Sequence, residues 1–132
     1  TGYRSDLLEK WGVAVAFAAP DAEVPVPPGV YYLAVFDPAA EELTAAELLW
    51  LAAANTDPRR DVECRDGVLC ADARSKRPGI AGNPSRFPNV VTSLPEVVRK
   101  VDERWAEYGL GERLESPSDR YRTLLLSDKA AW

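Results

Sequence analysis

Two continuous apolar runs open the hydrophobic pattern of this chain, Val13-Ala14-Val15-Ala16-Phe17-Ala18 and Val30-Tyr31-Tyr32-Leu33-Ala34-Val35-Phe36. Runs of this length without an alternating polar face predict strands covered on both sides, the second of them central. Pro20 to Pro28 lies between them and holds four prolines, with Asp21 and Glu23 among them. Such density excludes a helix or a central strand and predicts a stiff, extended surface loop or a short edge segment. A loop this short leaves no room for a helical crossover, so the two strands need not be parallel neighbours. Ahead of the first run, Ser5-Asp6-Leu7-Leu8-Glu9-Lys10-Trp11 has a capping serine and an acidic first turn and meets Gly12. That pattern predicts a short helix closed by glycine.

The pattern then changes period. Thr44-Ala45-Ala46-Glu47 reads as a capping box opening a helix from Ala45 to about Ala54. Leu48, Leu49, Trp50 and Leu51 leave it almost no polar face, so it is either buried on two sides or meets another chain. A return of Asp61-Val62-Glu63-Cys64 to the sheet would complete a βαβ unit. Asp66-Gly67 between two β-prone runs predicts a hairpin. Its register pairs Arg65 with Val68, Cys64 with Leu69 and Glu63 with Cys70. Further on, Ser93-Leu94-Pro95-Glu96 reads as a second capping box. Leu94, Val97, Val98, Val101, Trp105 and Tyr108 follow at three- and four-residue steps until Gly109. This predicts a surface helix with a solvated outer face. The final segment is polar until Tyr121-Arg122-Thr123-Leu124-Leu125-Leu126 and closes on Trp132.

Composition narrows the function classes. The chain has 132 residues, long enough for one domain with its own core. A net charge of −5 argues against a nucleic-acid partner, because no basic stripe is available for phosphates. The longest apolar run, Val13 to Ala19, is too short to span a bilayer, and a cytoplasmic address is expected. The absence of histidine removes the usual general base near neutral pH and the commonest metal ligand. The absence of methionine suggests a processed or trimmed chain. The hairpin register sends the two cysteines, Cys64 and Cys70, to opposite faces, so buried reduced thiols are expected instead of a disulfide.

Three polar stretches are candidates for chemistry. Asp37 follows the second apolar run, where open α/β sheets present polar groups, and serves either as a site residue or as a turn cap. Asp57-Pro58-Arg59-Arg60-Asp61 either holds an anion through its arginines or pairs internally across a helix–strand turn, and its flanking acids favour the latter. Asp72, Arg74, Lys76 and Arg77 form a more basic loop suited to a ligand or an acidic partner patch, or simply to solvent. No glycine-rich phosphate loop or metal-ligand cluster is visible in the sequence.

Taken in order, Trp50, then Asn55-Thr56-Asp57-Pro58-Arg59-Arg60-Asp61, then Asp72-Ala73-Arg74-Ser75-Lys76-Arg77-Pro78, then Val97 and Arg104-Trp105-Ala106-Glu107-Tyr108-Gly109-Leu110 resemble the C-terminal region of UbiD-type decarboxylases. Phe36-Asp37 precedes them in the expected place, and the resemblance runs from about Val30 to Leu110. Two positions depart from the pattern. Arg74 stands where the family has threonine, and the loop before that segment is reduced to the Asp66-Gly67 hairpin.

The resemblance implies a single small α/β domain over residues 1–110, with a mixed β-sheet and helices packed on it. The apolar cluster ending the tail over 111–132 has to be buried, either by folding back on its own domain or, as its polar approach favours, by docking on a neighbouring subunit. In that family prenylated FMN, a divalent metal and the catalytic residues belong to a larger N-terminal region that is not in this chain. It therefore implies no catalytic, cofactor or metal residue here. The implied role is a small non-catalytic subunit completing a larger UbiD-like catalytic partner that acts on an aromatic or unsaturated carboxylic acid. Trp50, Tyr121, Leu124, Leu125, Leu126 and Trp132 are the candidate interface, with homo-oligomerisation also open. The rival readings are a stand-alone binding or regulatory protein and a fragment of a full-length decarboxylase.

Overall fold

The apolar runs form the middle of a five-stranded mixed sheet. In chain order the elements are β1 (Gly2–Tyr3), α1 (Ser5–Trp11), β2 (Val13–Phe17), β3 (Tyr32–Phe36), α2 (Ala45–Asn55), β4 (Val62–Arg65) and β5 (Val68–Asp72). The spatial order is β1-β2-β3-β5-β4. This is a computed structural model that describes residues 2–75 and 90–125. The chain divides into two units, Thr1–Phe87 and Pro88–Trp132.

One connection was left open by the sequence pattern, and one differs from expectation. β2 and β3 are parallel neighbours, Val13 opposite Tyr32 through Phe17 opposite Phe36. The proline-rich segment makes this crossover without a helix. Extended backbone covers about 3.3 Å per residue, so residues 18–31 have ample reach to return along a five-residue strand. The strand that comes back beside β3 is β5, parallel to it, whereas β4 lies outside as an antiparallel edge strand. Val62–Arg65 therefore closes no βαβ unit. The tight Asp66-Gly67 turn forces β4 to be the hairpin partner of β5, and only one of the two can lie beside β3. Asp66 (φ 50°) and Gly67 (φ 81°) both take positive φ, which a two-residue hairpin turn needs. The predicted hairpin register is the observed one.

Strand alternation sorts the side chains onto two faces. One face carries Ala14, Ala16, Leu33, Val35, Val68 and Cys70, and these cluster with Ala18, Val24 and Val30. The proline-rich loop is thus the cover of this face, with Val24 brought into the core. Tyr3 fastens the loop by donating its hydroxyl to the Pro25 carbonyl at 2.8 Å. The opposite face carries Val15, Ala34, Phe36 and Ala71, all buried, with Phe17 packed on Phe36 at a ring distance of 6.3 Å. α2 covers this side. Its cap is the predicted capping box, in which Glu47 accepts from the Thr44 N–H at 2.7 Å and the Thr44 hydroxyl accepts from the Glu47 N–H. Leu48 and Leu51 are buried, and buried Asn55 donates to the Ala73 carbonyl at 2.9 Å, locking the helix end onto the strand end. Gly12 closes α1 at φ 64°, with the Tyr31 ring packed so close that a Cβ would lie 2.7 Å from Cδ2. Both cysteines are free, but only Cys70 is buried. Cys64 is exposed, because β4 is an edge strand and that side of it is uncovered.

The second unit is built differently. α3 spans Pro95–Glu103, followed by a 3-10 turn at Trp105–Tyr108 and by Gly109 in the left-handed region. Its N-cap is Leu94 with Pro95 in the first turn. Ser93 does not form the expected capping box; its N–H is donated instead to Ser118 Oγ at 3.0 Å. Polar contacts fold this unit: Trp105 Nε1 to the Gly111 carbonyl at 3.0 Å, Arg113 to Asp102 at 3.1 Å, and Arg104 to Glu107 at 2.8 Å. α4 (Ser118–Tyr121) continues into a 3-10 turn at Arg122–Leu124, anchored by Arg122 to Asp119 and to the Ser93 carbonyl. No described residue of 90–125 is buried. Among the described residues no helix is long and apolar enough to cross a membrane.

Candidate functional site

Where the proline-rich loop runs out over the hairpin, it leaves a cleft of about 320 Å³. Val35 and Cys70 form its small apolar floor, and Glu63, Arg65 and Asp72 rise beside them on the same sheet face, while Ala71, also at the cleft, belongs to the opposite face. Arg60 and Asp61 come from the turn after α2, and Ala22, Glu23 and Val24 come from the loop. Two arginines strap the loop to the sheet. Arg65 donates to the Val24 carbonyl at 3.1 Å, and Arg74 donates to the carbonyls of Ala19 and Ala22 at 2.7 and 2.9 Å. Glu23 is held between the two strapped residues.

The ion pairs of the cleft are unequal. Arg74 grips Asp72 through Nε and Nη2 at 2.9 and 2.8 Å, and the same carboxylate accepts the Arg74 N–H. These hydrogen bonds, aided by the charges of Asp72, Asp37 and Asp21, raise the guanidinium above its ordinary pKa despite the opposing effect of burial. Arg60 grips Asp61 in the same forked way at 2.8 Å, with its pKa likewise raised, first by that hydrogen bond. Asp61 also caps the turn by accepting the Asp57 N–H at 2.8 Å, and Asp57 accepts the Arg59 N–H at 3.0 Å. The Asp57–Asp61 stretch is therefore internally paired. Arg65 is less well served. Its Nε is 3.1 Å from Glu63 Oε1 but misaligned for a hydrogen bond, so this buried N–H lacks an acceptor.

Asp72 and Arg74 thus both line the cleft, while Lys76 and Arg77 lie outside the described residues. Asp37 is not among the lining residues; its carboxylate accepts the Ser75 N–H at 2.7 Å and fixes the chain leaving β5. Trp50 and Leu49 are exposed on α2, Tyr121, Leu124 and Leu125 are half-buried, and Leu126 and Trp132 lie outside the described residues. Sequence reasoning missed Glu23, Glu63 and Arg65. The hairpin register already put Glu63 and Arg65 on the Cys70 face, but nothing in the sequence showed that the loop would reach them.

Guanidiniums held charged bind and orient but do not shuttle protons. The Cys70 thiol is buried and donates to the Val68 carbonyl at 3.6 Å, an environment that suits an inert thiol. Among the described residues no group of three or more His, Cys, Asp or Glu side chains is arranged to hold a metal ion. The chemistry on offer is charge recognition over an apolar floor. No known family model matches this chain, and no curated protein matches it.

Proposed function

We propose that this chain is a small, non-catalytic binding subunit of a cytoplasmic UbiD-like decarboxylase assembly. Its larger partner would hold prenylated FMN and a divalent metal and act on an aromatic or unsaturated carboxylic acid. The observation that carries the binding role is the apolar stripe of α3. Leu94, Val97 and Val101 are exposed on a helix whose other side holds Glu96, Arg99, Lys100 and Glu103. A nine-residue helix with no buried residue is marginal by itself and gains stability when its apolar side is covered. Exposed Leu49 on α2 offers a second contact of the same kind. Support for the family comes from the ordered resemblance, from Phe36-Asp37 through Trp50, the Asp57–Asp61 turn and Asp72-Ala73-Arg74 to the closing helix.

Native mass spectrometry of the untagged protein purified from its own host tests this. The expected result is a complex with a larger chain that carries the mass of a prenylated flavin. A lone chain or a homo-oligomer without flavin overturns the subunit role. One observation favours a second reading, a stand-alone binding protein: among the described residues the lining of the cleft comes from residues 22–74 of the first unit.

A further inference from the structure

We infer that the cleft between the two arginine straps is a binding site for a small zwitterion, a primary amine and a carboxylate on an aliphatic body, the chemical class of a free amino acid. The inference stands on the cleft alone and does not rest on the subunit reading. Among the described residues the lining carries four carboxylates, Glu23, Asp61, Glu63 and Asp72, and three guanidiniums, Arg60, Arg65 and Arg74. Asp61 and Asp72 are each gripped in a fork by a neighbouring arginine, which neutralises two of the pairs within the wall. Groups of both signs remain with capacity to spare. Glu23 is exposed and makes no hydrogen bond or ion pair, and Glu63 shares one oxygen with a misaligned Arg65 Nε. On the cationic side, Arg60 commits Nε and Nη2 but not Nη1, and Arg65 commits Nη1 but not Nη2.

A purely anionic ligand would leave Glu23 and Glu63 without a cation, and a purely cationic one would leave the spare guanidinium nitrogens without an acceptor. A ligand with both charges satisfies both sets. Its carboxylate can also draw the Arg65 side chain into better alignment, offsetting a buried N–H that otherwise lacks an acceptor. Val35 and Cys70 on the floor favour an aliphatic side chain over a polar one. A volume of about 320 Å³ suits a single amino acid.

The test is isothermal titration calorimetry of the full chain with L-leucine and its two half-analogues, 4-methylpentanoate, which lacks the amine, and 3-methylbutylamine, which lacks the carboxylate. The expected result is leucine binding with Kd below about 1 mM and each half-analogue at least about tenfold weaker. Glu23→Gln, at an exposed residue that makes no bond in the fold, weakens leucine by about tenfold while leaving 4-methylpentanoate unchanged. Arg65→Gln weakens leucine and 4-methylpentanoate alike. Because Arg65 also straps the loop, its circular dichroism spectrum is compared with that of the parent, and Glu23→Gln with the half-analogues keeps the test decisive if Arg65→Gln unfolds. No leucine binding below that limit, a half-analogue binding as tightly as leucine, or leucine affinity indifferent to Glu23→Gln overturns the inference.

Discussion

The two units of this chain use apolar residues in opposite ways. In the sheet unit the strongest apolar runs vanish into the interior: Leu33 is 0% exposed and Phe36 1%. In the second unit the most regular amphipathic pattern of the whole chain stays open, with Leu94 55% and Val97 46% exposed. The sheet unit is held by burial on both faces, which contributes roughly 25 cal/mol per Å² of apolar surface removed from water. The second unit is held by hydrogen bonds and ion pairs at the surface, such as Arg113 with Asp102 and Arg104 with Glu107, each of which contributes only about 0–1 kcal/mol. Periodicity therefore fixes which side of a helix is apolar but not what covers it. The stripe that folding leaves open is the feature on which the proposed binding role rests.

Mutations can break this contrast, and the largest effect belongs in the sheet. Phe36→Ala opens a cavity in a fully buried layer and is expected to cost about 3–5 kcal/mol in urea denaturation. Arg74→Ala comes next. It frees the loop carbonyls of Ala19 and Ala22 and strips Asp72 of its partner, an expected loss of about 2–3 kcal/mol by the same measurement. Arg74→Lys recovers little of it, since an ammonium cannot make the fork.

Smaller effects follow. Burial raises the pKa of the Tyr32 phenol above its ordinary value of 10.0, so the fold favours the neutral form. Its contribution to stability is present below the unfolded-state pKa and is lost as pH rises through the higher folded-state value. Denaturation curves from about pH 9 to 11 should show this alkaline loss, and Tyr32→Phe should flatten it. The smallest effect separates the units most clearly. Replacing Val97 and Val101 together by serine should change the stability of the free chain by no more than about 0.5 kcal/mol. The same replacement should abolish co-purification of a larger chain.

Much of the fold was legible because its determinants are local. The Thr44-Glu47 capping box, the Gly12 stop and the Asp66-Gly67 turn with its register all follow from residues close in sequence. What the local pattern left open or missed was non-local. The parallel pairing of β2 with β3 depends on how far a proline-rich loop reaches, and the exchange of β4 for β5 depends on which hairpin arm enters the sheet. The site was half legible for the same reason. Asp72 and Arg74 are visible as a charged segment, and the alternation of Glu63, Arg65 and Cys70 is visible in the hairpin. Their meeting with Glu23 depends on a loop fastened by Tyr3 and two arginines from distant positions. The second capping box failed by one residue, because Ser93 found Ser118 as a competing partner.

Amide hydrogen exchange followed by mass spectrometry tests the contrast between the units, on the free chain and on any complex with the proposed larger subunit. The expected result is that β3 is protected in both, and that α3 exchanges rapidly in the free chain and gains protection only in the complex. Protection of α3 equal to that of β3 in the free chain would contradict it, since the apolar stripe would then be covered without any partner.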